Sequence, residues 1–246
     1  MIHVLIVGGT RGLGRATARL MASRPGHRVS ILGRTKPSAD SGLEKCAYFL
    51  ADLLDNLSSV QAIEQAVERN GPLNYVVFSQ RYRGEGDDWV GEIQVSLTAT
   101  RLMIEAAAPR FASNVDKGIV LVSSAYGDFV GDGQPLSYHV AKAGMNHMAK
   151  FYAMTLGATR IRVNVVTPFT FLKEESKSYY LTNEALQVAM RDMVPLGRQG
   201  TAEESAQVIA FLCSPEASFV SGQNWRVDGG LSVIWPETIG RRFRNL

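Results

Sequence analysis

Tyr138 and Lys142 stand four residues apart in the run Tyr138-His139-Val140-Ala141-Lys142, well downstream of a glycine loop, Gly8-Gly9-Thr10-Arg11-Gly12-Leu13-Gly14. On a helix, residues four apart share a face, so this phenol and this ammonium can serve one site. A free tyrosine ionises near pH ~10 and exchanges protons poorly at neutrality. A nearby ammonium favours the phenolate and suits such a side chain to general acid–base work. A surface lysine beside a packed tyrosine gives the same spacing, so the pair gains its weight from context. That context is the order of the motifs: a glycine loop first and a proton-handling pair later points to redox chemistry.

The elements that must position these residues are legible as an alternation. Short β-branched runs alternate with amphipathic stretches, which predicts a doubly wound parallel sheet with helices on both faces, an α/β fold of the Rossmann type. The pattern places a strand at 2–7, a helix at 12–23, strands at 28–32 and 47–50, and a helix at 58–69 stopped by Asn70-Gly71-Pro72. Next come a strand at 75–78, a polar loop at 80–88, one long helix over 89–111 and a strand at 118–122. The helix bearing Tyr138 and Lys142 runs to about 156, and a sixth strand covers 161–166. Beyond Pro168 the period loosens through 170–180, then helices return at 184–193 and 202–212 before a last strand at 224–227. There is no internal repeat or linker composition, so a single domain over 1–246 is expected.

The first strand, the spacing Gly8-x-x-x-Gly12-x-Gly14 and the helix after it suit a dinucleotide pyrophosphate at a helix N-terminus. Glycines allow the tight turn and the close backbone approach, and the dipole and N–H groups favour phosphate. The spacing departs from GxGxxG, and a structural turn is the plain alternative; its place between first strand and first helix favours cofactor binding. At the end of the second strand, Ile31-Leu32-Gly33-Arg34-Thr35 offers Arg34 where an acidic residue would bind the ribose of NAD. Arg34, with Arg11 as a second positive charge, suits the 2′-phosphate of NADP; singly, each also reads as a solvated surface arginine.

The 246 residues suffice for one sizeable core, and 46% hydrophobic with 20% charged residues is ordinary for a globular chain. A net charge of +3, with basic residues scattered outside Arg241-Arg242-Phe243-Arg244, gives nucleic-acid binding little support. That basic tail is expected to close a subunit surface or fray. Cys46 and Cys213 are too few for a disulfide framework or a metal site and read as reduced thiols. No run nears the ~20 apolar residues of a membrane span, and the run at 2–7 is shorter than a signal-peptide core. A cytoplasmic location is expected.

Taken together these motifs resemble the short-chain dehydrogenase/reductase family in its compact, single-domain form, over nearly the whole chain. Ala51-Asp52-Leu53 is similar to the family's adenine-contacting segment, and Val122-Ser123-Ser124-Ala125 to the strand end that supplies its catalytic serine. Ile161 to Pro168 resembles the sixth strand; Pro195-Leu196-Gly197-Arg198 and Val227-Asp228-Gly229-Gly230 resemble C-terminal segments. The resemblance implies that Ser124 bonds the substrate oxygen, with Ser123 as the alternative, and that Tyr138 donates or accepts the proton. Lys142 would bind the nicotinamide ribose and favour the tyrosinate. Cofactor contacts implied are Gly8, Thr10, Arg11, Gly12, Leu13, Gly14, Arg34, Asp52, Leu53, Ser79, Tyr138, Lys142 and Pro168.

Three positions depart from the family. Its Asn-Asn-Ala-Gly after strand four is Phe78-Ser79-Gln80-Arg81, so cofactor packing there is expected to differ. Its helix-four asparagine, which holds a bend and a water linking the lysine to solvent, falls at Ser96, seven residues after Trp89. Its Pro-Gly after strand six is Pro168-Phe169. The expected activity is an NADP(H)-dependent oxidoreductase acting on a small carbonyl or alcohol substrate, without nucleic-acid or membrane partners. The alternative is a non-catalytic NADP-binding sensor or scaffold on the same fold. A homo-oligomer, tetramer or dimer, is implied, with the Tyr138 helix and residues 227–233 as contact surfaces. Residues 169–194 should form a substrate lid, whose Phe169, Phe171, Tyr179 and Tyr180 either face a partly apolar ligand or pack the lid down.

Overall fold

A computed structural model describes residues 1–172 and 177–244. The elements in chain order begin with β1 (Ile2–Val7), α1 (Gly12–Ala22), β2 (His27–Gly33), β3 (Cys46–Leu50), α2 (Asn56–Asn70) and β4 (Tyr75–Phe78). After them come α3 (Asp88–Glu92), α4 (Ala99–Ala107), β5 (Gly118–Val122), α5 (Leu136–Thr155), β6 (Arg162–Pro168) and β7 (Phe171–Leu172). The chain continues with α6 (Lys177–Thr182), α7 (Glu184–Met193), β8 (Gly200–Thr201), α8 (Ala202–Leu212), β9 (Asn224–Val227) and α9 (Pro236–Phe243).

Seven strands form one parallel sheet in the order β3-β2-β1-β4-β5-β6-β9. The inner strands are apolar along both faces because helices cover both. Alternation along β1 divides the core: Leu5 and Val7 join Ile63, Ile104 and Met145 from α2, α4 and α5. Val4 and Ile6 join Leu13, Met21 and Ile209 from α1 and α8 on the other face. The order reverses between β2 and β4, on either side of β1, which opens a crevice at the carboxyl ends of the strands.

Local chemistry starts the helices. Asp55 caps α2 by accepting from the N–H groups of Leu57 and Ser58, and Thr201 with Glu204 forms a capping box at α8. At α1 the capping position is Arg11, whose side chain makes no capping bond. Gly8 there has φ +77°, a left-handed conformation that favours glycine.

Two expectations need correction. The single helix over 89–111 is α3, a π-helical turn over Ile93–Thr98, α4, and a 3₁₀ turn over Ala108–Arg110. Inside the π turn the buried Ser96 hydroxyl donates to the carboxylate of Glu92, and Pro109 at the far end cannot continue an α-helix. Of the two expectations for the basic tail, fraying is the one to set aside: residues 236–243 form α9, where Arg242 Nη1 donates to the carbonyl of Asp192 at 3.1 Å beside α7. The short strands β7 and β8 pair with each other, β7 inside the start of the expected lid and β8 beyond its end at 194. Residues 173–176 of that lid lie outside the described residues. No helix among the described residues is long and apolar enough to cross a membrane.

Candidate active site

Two adjoining cavities open along the carboxyl ends of the strands. The larger, about 990 Å³, is lined by Arg11, Gly12, Leu13, Ser79, Ser123, Ser124, Tyr138, Lys142 and Pro168 among others. The smaller, about 280 Å³, is lined by Gly8, Thr10, Arg11, Arg34, Asp52, Leu53 and Ser79. Arg11 and residues 79, 80, 81 and 83 line both, so the two form one elongated groove. All the expected contact residues border it except Gly14. A Cβ on Gly14 would run into the carbonyl oxygen of Gly8, so this glycine lets the helix close on the loop. Gly8 in turn packs on the backbone of Gln80, where a Cβ would approach within 2.8 Å.

Tyr138 and Lys142 come from the first two turns of α5, and β5 ends beside them at Ser123 and Ser124. The two serines are differently committed. Ser123 is buried and its hydroxyl donates to the Lys142 carbonyl at 3.1 Å. Ser124 is half-buried and its oxygen accepts from the Tyr126 N–H at 3.3 Å, which leaves its own proton for a ligand. Lys142 is 3% exposed; its ammonium donates to the Val122 carbonyl at 3.0 Å and lies 5.5 Å from the centroid of the Tyr138 ring. Burial pushes Lys142 down to about 8, against the pull of the nearby Glu92 charge and with a further push from Arg81. A lysine in this range can exchange protons near neutral pH.

The segment after β4 has rearranged its contacts to the groove. Phe78 is wholly buried in the core, and Gln80 turns inward, its amide donating to Thr100 Oγ1 at 2.7 Å. Arg81 crosses over Tyr138, its guanidinium carbon 4.7 Å from the ring centroid, and its Nη2 donates to Gln134 Oε1 at 2.8 Å. Among the lid aromatics, Phe169, Phe171 and Tyr180 line the larger cavity, whereas Tyr179 is exposed and rests edge-on against Tyr180. Phe171 also packs against the core, so both readings of the lid aromatics hold in part.

Sequence reasoning missed Glu92, Gln134 and the cavity-lining Pro236 and Ile239 of α9. A signal existed for Glu92, four residues before Ser96 and therefore on its helical face. None existed for α9, because its partners lie some fifty residues away in the chain.

Comparison with known proteins agrees with this geometry. The sequence model of the enoyl-(acyl carrier protein) reductase family matches residues 7–232. The chain is 32% identical over 243 residues to a 3-oxoacyl-[acyl-carrier-protein] reductase of Thermotoga maritima, covering 93% of this chain and 97% of that protein. It is 29% identical over 246 residues to an isoepoxydon dehydrogenase of Penicillium expansum, covering 94% and 95%. Among solved structures, a short-chain dehydrogenase/reductase from Serratia marcescens superimposes with a TM-score of 0.81 at 25% identity, covering 94% of this chain and 98% of that one. With sequence and fold in accord, the chain belongs to the short-chain dehydrogenase/reductase family of oxidoreductases.

Proposed function

We propose that this protein is an NADP(H)-dependent carbonyl reductase or alcohol dehydrogenase. The observation that carries the reading is that Ser124, Tyr138 and Lys142 line one cavity continuous with an arginine-flanked groove. The groove residues fit a dinucleotide: Gly14 and Gly8 keep the loop closed on a helix start that has no side-chain cap. Arg11 and Arg34 would hold the 2′-phosphate, Asp52 and Leu53 the adenine end, and the loop from Gly8 to Gly14, Thr10 included, the pyrophosphate. Ser79 and Pro168 would flank the nicotinamide end, with Tyr138 and Lys142 at its ribose.

Bound there, the nicotinamide supplies or takes up a hydride at the substrate carbon. Tyr138 gives its hydroxyl proton to the carbonyl oxygen in reduction and recovers one in oxidation. Ser124 donates to the same oxygen and fixes its direction. Ser123 is the weaker candidate because its hydroxyl already serves the Lys142 carbonyl. The buried Lys142 ammonium favours the tyrosinate when the proton leaves. Of the lid expected over 169–194, the described residues Phe169, Phe171 and Tyr180 would close over the substrate. Exposed Phe151, Met154 and Trp225, on α5 and the edge strand β9, suit a homo-oligomer, and Val233 extends the same expectation to the segment after β9. Two free thiols accord with a reducing, cytoplasmic setting.

A screen of carbonyls with NADPH and alcohols with NADP tests the reading. Turnover should appear in wild type and vanish in Tyr138→Phe, which removes the proton donor and little bulk, while NADPH affinity stays near wild type. Cofactor binding with no turnover across the screen would favour the sensor or scaffold. NADPH should bind at least about tenfold more tightly than NADH, because an arginine–phosphate contact is charge-assisted. Fluorescence titration measures this, and Arg34→Ala should erase most of the difference.

A further inference from the structure

Among the described residues, Arg81 is the one cation from outside α5 that lies over the Tyr138 ring. Its guanidinium carbon lies 4.7 Å from the ring centroid, and Nη2 is held by Gln134 at 2.8 Å. Its Nε is buried and has no hydrogen-bond partner among the described residues. Arg81 also forms no ion pair among the described residues, whereas Arg226 on the same cavity wall is paired with Asp128 at 3.1 Å. The acidic wall residue Asp228 is committed too, its oxygens accepting from the N–H groups of Gly230 and Ser232. A half-buried guanidinium without a carboxylate is costly unless a ligand completes it.

The position of the charge restricts the ligand. A guanidinium presents a planar fork that matches a carboxylate or phosphate oxygen pair. Arg81 borders both cavities, but Gln134, which holds its Nη2, lines only the larger one, away from Arg34 and Asp52, which line only the smaller one. Because Arg81 stacks on the tyrosine itself, the anionic group it receives must sit within a few bonds of the oxygen that Tyr138 serves. We propose that Arg81, steered by Gln134, binds the carboxylate of the substrate, and that the substrate class is short 2- or 3-oxo acids and the corresponding hydroxy acids.

The proposal rests on the reductase reading above and deepens it. In reduction, hydride adds to the oxo carbon and a proton to its oxygen, giving the hydroxy acid and oxidised cofactor; the carboxylate is unchanged throughout.

The test pairs 2-oxo and 3-oxo acids of four to eight carbons with their methyl esters, which keep the carbonyl and lose the charge. In wild type, kcat/KM for the acids should exceed that for the esters by about tenfold or more, a ratio set by one charge-assisted contact. Arg81→Gln should bring that ratio near one, chiefly through KM for the acids, and Arg81→Lys should restore part of it. Gln134→Ala should lower the ratio less than Arg81→Gln does. An acid-to-ester ratio equal in wild type and Arg81→Gln overturns the proposal while leaving the reductase reading intact. A loss of NADPH affinity in Arg81→Gln with the ratio unchanged overturns it in favour of a cofactor phosphate as the partner of Arg81. Thermal-shift titration with the same acids reads binding without turnover. Stabilisation of wild type that Arg81→Gln lacks upholds the anion site even if no compound is reduced, and no stabilisation by any acid removes it.

Discussion

Lys142 sits between two charges of opposite sign, neither of them close to it along the chain. Burial alone favours the neutral amine; Glu92 from α3 opposes this and Arg81 from the loop after β4 adds to it. Ser96, where the family resemblance implies an asparagine and a held water, here spends its hydroxyl on the Glu92 carboxylate. The pair thus brings a carboxylate, rather than an amide, to the neighbourhood of the lysine. If the ammonium of Lys142 is needed for turnover, activity falls as pH rises through about 8. Glu92→Gln removes a charge that holds the proton on, so the alkaline limb of kcat/KM should move to lower pH. Arg81→Gln removes a charge that drives the proton off, so its limb should move to higher pH. Profiles of the two variants measured on one confirmed substrate decide the matter; shifts in the same direction, or none, would detach Lys142 from the limb.

At the scale of elements, the cleft is shaped where regular structure is interrupted. The π turn at Ile93–Thr98 breaks what the periodicity presents as one helix and brings Ser96 to Glu92. The pair β7–β8 joins the start of the lid segment to the chain beyond its end, and α9 lies beside α7. Pro236 and Ile239 of α9 line the larger cavity, although α9 has no buried residue. Removing residues 236–246 should therefore raise KM about tenfold by opening the substrate side, since closing elements contribute through positioning. The unfolding free energy should change by less than about 1 kcal/mol, because little buried surface is lost. Steady-state kinetics and urea denaturation on the truncated chain read the two effects separately.

For the whole molecule, stability and chemistry sit at opposite edges of the sheet. The groove follows the carboxyl ends of the strands, while Arg162 opens β6 at the amino ends. Arg162 pairs with Asp116 at 2.8 Å and donates to the carbonyls of Leu212 and Ser214, and Asp116 also accepts from Tyr75 at 2.7 Å. One buried cation thus joins β4, β6 and the end of α8. Arg162→Met leaves Asp116 without its partner and should cost about 3–5 kcal/mol, the usual penalty for breaking a buried pair from one side. Asp116→Asn keeps a hydrogen-bonding group and should cost less. Denaturant unfolding gives both values, and kcat/KM of the folded fraction should stay at the wild-type level in each variant.

The alternation of apolar strands with amphipathic helices, read from the chain alone, accounted for the parallel sheet and for α1, α2, α7 and α8, but not for β7, α6, β8, α9 or the break within 89–111. The helix at 184–193 and the helix at 202–212 coincide with α7 and α8. The reason is that strand and helix periods, caps and glycine turns are local, so residues a few positions apart carry them. The same locality put Tyr138 and Lys142 on one face and the glycine loop at a helix start. What lay beyond it depended on distant segments meeting. Folding brought Arg81 onto Tyr138 and Gln134 onto Arg81, fifty-three residues away. Folding also chose Ser123 for the Lys142 carbonyl, faced Ser124 to the cavity and laid a basic tail against α7 as a helix. Those contacts are decided by side-chain reach and burial across the sheet, quantities that no spacing along the chain encodes.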